Sequence, residues 1–433
     1  MSSGFGFSLV ILFLLFDYGR PQDFVPVIGA LRPGMILTAL MVIAWLRSRG
    51  TARSVSCPQL SWMLVMLVLM AVHIPFSVNH FWAFETTESF LLLLPFSVSV
   101  ILFMDTPQRV VLFFRWWVVL AAFTAVRALL HPGGEQGVGS SFLGDRNDVA
   151  LLLCVMLPFV VCIMVYEKRR TLKLAYLAVA ILCVGGIVST SSRGGFVGLL
   201  AVMAVLWWVS PRKLLVLIML GVLSIGTYAF VDQQYIDRIS TTQETEEGTA
   251  KGRLDSWKAA WAMFKDYPLG VGPSNFPTRF PEYQGTSFGA HRMWGRAAHS
   301  LWFTILAELG IPGALLYFLI FRANWRSLRH LNELSADPEQ GRLAKLMFIA
   351  FVASLAGFFA AGTFLSVLFY PHYWFLTGMI VATEKTLAPV VPATSAGVAL
   401  PLPPQVNSGV PAVRDPRPTE GGTREAKRLG LDG

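Results

Sequence analysis

The residues able to do chemistry are concentrated in a few stretches. Ser189–Gly198 reads STSSRGGFVG and carries Arg193. A guanidinium offers a planar fork of donors matched to phosphate oxygens, and Gly194 and Gly195 would let the backbone turn tightly. The plain alternative is an arginine snorkelling to the headgroups. Beside lipid its charge is costly unless it is paired or faces a polar cavity, and the small neighbours favour the cavity. Lys251–Gly272, KGRLDSWKAAWAMFKDYPLGVG, carries Arg253, which taken alone is an ordinary solvated loop charge. Ala297–Phe321 opens with His299. Histidine is the side chain most easily poised to take a proton near neutral pH. A lone histidine is more often structural, but this one follows the one long polar block that interrupts the apolar stretches. Glu308 lies deeper, to orient polar groups or pair with a neighbouring helix, and Pro312 with Gly313 marks a kink. In Phe142–Leu153, FLGDRNDVALLL, Asp145 or Asn147 suits a helix cap. Arg146 and Asp148 either pair with each other or line a site. Asp255, His291, Arg292 and Arg296 complete the polar residues around these stretches.

The elements that must position them are apolar. The chain has 433 residues, 54% of them hydrophobic and only 14% charged, with a mean hydropathy of +0.57. Soluble domains are nearer ~25% charged. A chain this apolar could not cover a globular surface with polar groups, so it reads as a polytopic membrane protein of the all-α class. A spanning helix needs ~20 mostly apolar residues, and about twelve stretches qualify. Their centres are Phe5–Phe16, Met35–Leu46, Leu60–Ile74, Ser89–Met104, Val110–Leu130 and Val149–Tyr166, then Leu174–Val188, Phe196–Val209, Leu214–Val231, Leu301–Phe321, Leu346–Leu368 and Tyr373–Val381. The stretch Phe24–Arg32 suits the membrane interface.

Charge gives the bundle an orientation. Basic clusters follow the second span (Arg47, Arg49, Arg53), the fourth (Arg109, Arg115), the sixth (Lys168–Arg170, Lys173) and the eighth (Arg212, Lys213). Others follow the tenth (Arg322, Arg326, Arg329, Arg342, Lys345) and the twelfth (Lys385 and the tail). Each follows an even-numbered span, so those connections and both termini are expected in the cytoplasm. The odd connections then face outward. They include the turn 73–88, the loop 131–148, the turn 189–195, the long block 232–298 and Tyr370–His372. In the long block, Trp257, Ala260, Trp261 and Phe264 recur at helical spacing over Asp255–Tyr267, which suits an amphipathic helix near the interface. Pro268 ends it, and Gly270–Gly272 with Pro273 makes a tight turn.

Composition excludes other classes. The net charge of +9 comes from cytoplasmic loops and the tail, and no nucleic-acid motif is present. The cysteines have no metal-site or disulfide spacing. The N-terminus lacks a basic n-region and a small-residue cleavage site, and reads as a retained helix. From residue 388 the chain is rich in Pro, Gly, Ser and charge and reads as a disordered tail. The organisation expected is spans one to nine over 1–231, a polar loop with short amphipathic helices over 232–298, spans ten to twelve over 299–387, and the tail over 388–433.

The order SSRGG, then an arginine ahead of W…YPLGVG in a long loop, then HSLWFTILAELGIPG, resembles the O-antigen ligase superfamily (Wzy-C). The DRNDVALLLCVMLP segment is similar to it too, and so is the layout of about twelve spans with a long periplasmic loop between the ninth and tenth. The resemblance is clearest from Phe142 to Tyr317. It implies a GT-C-like bundle in the bacterial inner membrane with a periplasmic active site. It implies transfer of a glycan from undecaprenyl diphosphate to an acceptor hydroxyl (lipid A core, a second lipid-linked glycan or a protein side chain) without a metal or other cofactor. Carried over by motif, His299 is the general base and Arg193 and Arg253 grip the diphosphate, with Arg146, Asp148, Arg292 and Arg296 as further substrate-site residues. The residues suit that chemistry, because fixed guanidinium groups can stabilise a leaving diphosphate. No carboxylate pair suggests a glycosidase route, and no outer acidic cluster calls for a divalent ion. A small-anion transporter is the competing class, but internal repeats and mid-membrane polar breaks are lacking. A scaffold role would leave the outer loop and the Arg/His arrangement without a purpose.

Overall fold

The computed structural model describes residues 3–48, 54–131, 144–209, 213, 250–285, 293–337 and 340–388. Among them there is no strand. The helices are α1 (Ser3–Tyr18), α2 (Pro21–Phe24), α3 (Pro26–Ala30), α4 (Pro33–Arg47), α5 (Pro58–His73), α6 (His80–Phe103), α7 (Pro107–Leu130), α8 (Arg146–Tyr166), α9 (Arg170–Ser189) and α10 (Arg193–Val209). They continue with α11 (Ala250–Asp266), α12 (Phe276–Tyr283), α13 (Leu301–Glu333), α14 (Gly341–Gly362) and α15 (Pro371–Leu387). Among the described residues 7 helices are long and apolar enough to cross a membrane, and Ser3–Tyr18, Pro33–Arg47 and Arg193–Val209 are shorter apolar helices. The chain is an all-α polytopic membrane protein. Each expected span falls on a helix except the ninth, 214–231, which lies outside the described residues. So does the tail beyond residue 388.

Starts are written in local chemistry. Pro58, Pro107 and Pro371 occupy the first turn of α5, α7 and α15, where no N–H partner is lost. Asn79, Thr106 and Asp145 accept from Trp82, Arg109 and Asn147 backbone N–H groups as caps of α6, α7 and α8. In lipid each backbone group must be satisfied within the protein, so these caps sit where the chain enters and leaves the bundle.

Helix α8 is the hub. It packs on α7, α9, α10 and α14, and 72% of its most apolar window is buried, against 22% for α5 and α9. Its approach to α10 and α14 depends on small residues. A Cβ on Gly198 would sit 3.1 Å from the Gly357 carbonyl oxygen and 3.2 Å from Cys154 Sγ. Close backbone approach of this kind supplies packing contacts where lipid offers no hydrophobic drive. Phe159 of α8 stacks on Phe114 (4.7 Å), and Phe351 meets both rings edge-on at 5.1 and 5.8 Å.

Three expectations are corrected. Helix α13 is 33 residues long, about 50 Å at 1.5 Å per residue, and it breaks at Gly310 (φ 61, ψ −157) rather than at Pro312–Gly313. Pro312 falls in the first turn after the break, where it costs no helical hydrogen bond. The eleventh span stops at Gly362, not Leu368, and 363–370 is an irregular connection. Helix α11 begins at Ala250, so Arg253 lies in its first turn rather than ahead of it, and its small and apolar face packs on protein. Ala259, Ala260 and Met263 are buried with Val271, Phe276, Phe280, Ala298 and Ala307, while Leu254 and Trp261 point outward.

Candidate active site

Arg193 is the first residue of α10, and its position is set by the turn before it. Ser191 carries the positive φ (53). The Gly195 N–H donates to Ser192 Oγ (3.1 Å), and that hydroxyl donates to Asn147 Oδ1 (2.7 Å) at the start of α8. Neither glycine makes the turn that the motif suggests, and Gly195 serves close approach while Gly194 leaves ordinary contact room. A Cβ on Gly195 would lie 2.4 Å from Ala150 Cβ, and one on Gly194 would lie 3.5 Å from both the Ala361 carbonyl and Phe364 Cβ. The helix start is thereby pressed between α8 and the end of α14, with the Arg193 side chain exposed.

Arg253 is carried by α11, and the docking of α11 rests on the YPLGVGPSN turn. Gly270 (φ 99) and Gly272 (φ 101) let this turn enter the break in α13. Val271 N–H donates to the Ala307 carbonyl (3.0 Å), Gly272 N–H to the Glu308 carbonyl (2.9 Å) and Ile311 N–H to the Pro268 carbonyl (2.9 Å). The buried Glu308 carboxylate accepts the N–H groups of Ser274 (2.8 Å) and Phe276 (3.2 Å). Its role is therefore to hold this turn, not to pair with a neighbouring helix. On the other side Asn275 Oδ1 accepts Asn79 N–H (2.7 Å), and its amide donates back to the Asn79 carbonyl (3.2 Å). His73 Nε2 lies 2.8 Å from the Leu269 carbonyl. Trp257, one turn after Arg253, stacks on Phe303 (5.4 Å) and meets Phe364 (6.3 Å).

His299 precedes the N-cap of α13 with a left-handed backbone (φ 51), an uncommon conformation for a side chain of this size. Its N–H donates to Ser366 Oγ (2.9 Å). Burial, then Arg253, then Arg296 hold the imidazole below its ordinary pKa, with Asp145 opposing. Burial and the like charge of Arg193 also lower the pKa of Arg253. The charges of Arg193 and Arg253, and of Arg253, Arg296 and His299, therefore bear on one another. Among the described residues neither Arg193 nor Arg253 has an ion-pair partner. The nearest acidic influence on this group is that of Asp145 on His299.

The other predicted residues are placed differently. Arg296 is buried, with Nε donating to Ser256 Oγ (2.8 Å) and its guanidinium 6.0 Å from the Phe280 ring centroid. Asp148 is buried and accepts from the Tyr370 hydroxyl (2.9 Å), so it does not pair with Arg146. Arg146 is exposed at the start of α8. Asp145, not Asn147, caps that helix. His291 and Arg292 lie outside the described residues.

Sequence reasoning missed the connection 363–370. Phe364 touches both the Gly194 position and Trp257, Ser366 holds the His299 backbone, and Tyr370 holds Asp148. Its residues, TFLSVLFY, read as the end of a spanning helix. The hint available was Ser366 with Tyr370 in an otherwise apolar run ahead of Pro371.

Residues 178–318 match the family described as O-Antigen ligase, Wzy_C. The SSRGG, YPLGVG and HSLWFTILAELGIPG motifs all fall inside that span, whereas the DRND segment and the 363–370 connection lie outside it. No curated protein matches the chain.

Proposed function

From this match to the O-antigen ligase superfamily as premise, we propose that the protein transfers a glycan from undecaprenyl diphosphate to an acceptor hydroxyl on the periplasmic face of the bacterial inner membrane. Lipid A core is the acceptor assigned. The observation that carries the reading is that the charge of Arg193 acts on Arg253 and that of Arg253 on the partly buried His299, while neither arginine has an ion-pair partner among the described residues. His299 accepts the acceptor's hydroxyl proton as the oxygen attacks the anomeric carbon. The bond from that carbon to the diphosphate oxygen breaks on the opposite face, which inverts the centre. The leaving diphosphate gains negative charge where Arg193 and Arg253 stand, and preorganised cations in a partly dry site stabilise such charge without reorganising. The lowered basicity of His299 keeps it neutral and ready at pH 7, as a base should be.

The decisive assay is transfer by purified protein in lipid vesicles, using an undecaprenyl-diphosphate-linked oligosaccharide and lipid A core. His299→Ala and Arg193→Ala should each abolish most product, and full transfer by either would overturn the assignment. If the product is a longer lipid-linked chain, the enzyme is a polymerase. If it is a glycosylated protein, the enzyme is an O-oligosaccharyltransferase.

A further inference from the structure

We propose that Ser366 is a positioning residue for the proposed base, His299, acting through the backbone that it holds. This inference rests on the glycan-transfer reading above and extends it to a segment outside the matched residues 178–318.

The left-handed backbone at His299 (φ 51) is disfavoured for a residue with a Cβ, which crowds the following carbonyl oxygen. Such a conformation persists only when its surroundings over-determine it. The contact that does so is the His299 N–H bond to Ser366 Oγ (2.9 Å). Thr304 Oγ1, one turn into α13, lies 3.2 Å from the same hydroxyl while bonding the Ser300 carbonyl (2.7 Å). Ser366 is thereby fixed from the helix that follows His299. If the turn at 299 relaxes to an ordinary φ, the direction of its Cα–Cβ bond changes, and the imidazole leaves its place beside Arg253 and Arg296.

The segment that bears Ser366 also registers the other groups. Two residues earlier, Phe364 packs on the Gly194 position, adjacent to Arg193, and on Trp257, one turn after Arg253. Four residues later, Tyr370 bonds Asp148. One short connection thus sets base and cations against each other, and Ser366 is its link to the base.

The test compares Ser366→Ala, Ser366→Thr and Thr304→Val with the wild-type full chain in vesicles, using the oligosaccharide donor and lipid A core named above. His299→Ala and Arg193→Ala serve as controls. A misplaced base slows the chemical step, and a shift of about 1 Å can cost ~10²-fold. Ser366→Ala should therefore lower kcat by ~10–10²-fold with donor KM within about twofold, because the arginines are untouched. Its acid limb should also move to higher pH, because an imidazole released from burial, Arg253 and Arg296 regains basicity, and the opposing pull of Asp145 was the weakest of these influences. Fewer active molecules would lower kcat without moving that limb. Ser366→Thr should restore both, and Thr304→Val should show a smaller change of the same sign. A wild-type acid limb in both Ser366→Ala and Thr304→Val overturns the inference. Full transfer by His299→Ala or Arg193→Ala would instead overturn the functional reading on which it rests.

Discussion

At the scale of single residues, the site is defined by charges placed against their own preference. Arg253 sits near Arg193, and both Arg253 and Arg296 disfavour a proton on His299. In the proposed mechanism the neutral imidazole is the active form, so transfer should rise with pH through a value below that of an ordinary histidine, near 6.5. Arg253→Gln removes one of those cations. The acid limb of kcat should then move to higher pH, in addition to a loss of rate from the weakened grip on diphosphate; a pH–rate profile of the variant checks this. Removing the base itself should cost ~10²–10⁴-fold in kcat. His299→Gly should melt no lower than His299→Ala, because glycine accepts a positive φ that alanine resists; thermal unfolding in detergent measures the difference. The chemistry-bearing types were readable, since Arg and His in an apolar chain declare themselves. Ser366 was not. Its importance comes from a bond across 67 positions, and nothing local to it signals that partner.

At the scale of elements, the unit that matters is the turn 268–276 wedged into the break of α13. Glu308→Ala would strand the N–H groups of Ser274 and Phe276, at about 1–3 kcal/mol for each buried group left unsatisfied. We expect a lower melting temperature and faster amide exchange over 268–276, measured by hydrogen–deuterium exchange, with Glu308→Gln intermediate. Gly195→Val should be worse than neutral, because even a Cβ there meets Ala150 at 2.4 Å; overpacking of this kind costs roughly 1–3 kcal/mol, again read by melting. The helices themselves were legible, because apolar length is what a bilayer demands. Two boundaries were not. Pro312 looks like the kink, yet a proline in the first turn of a new helix segment fits without strain, and the true break needs the left-handed Gly310. Residues 363–370 are as apolar as a span because Leu365, Val367 and Leu368 are buried in protein, and hydropathy does not distinguish protein surroundings from lipid.

At the scale of the whole molecule, the orientation expected from charge can be checked cleanly. The native cysteines are all buried, so an introduced one reports alone. Lys258→Cys on the exposed face of α11 should react with a membrane-impermeant maleimide added outside intact spheroplasts. Lys173→Cys near the start of α9 should react only after permeabilisation. The reverse pattern would turn the bundle over and remove His299 from any periplasmic acceptor. The first hundred residues contribute spans identified by their apolar length, and in the structure they also brace the candidate site: Asn79, between α5 and α6, exchanges hydrogen bonds with Asn275. The placement of Ser366 and Tyr370 beyond residue 318 bears on protein engineering. A chimera that borrows only 178–318 to change which acceptor is glycosylated would import both arginines and the histidine without the seat beneath them. Crossover points for such swaps belong after Leu387, so that donor and recipient never divide the proposed catalytic cradle between them.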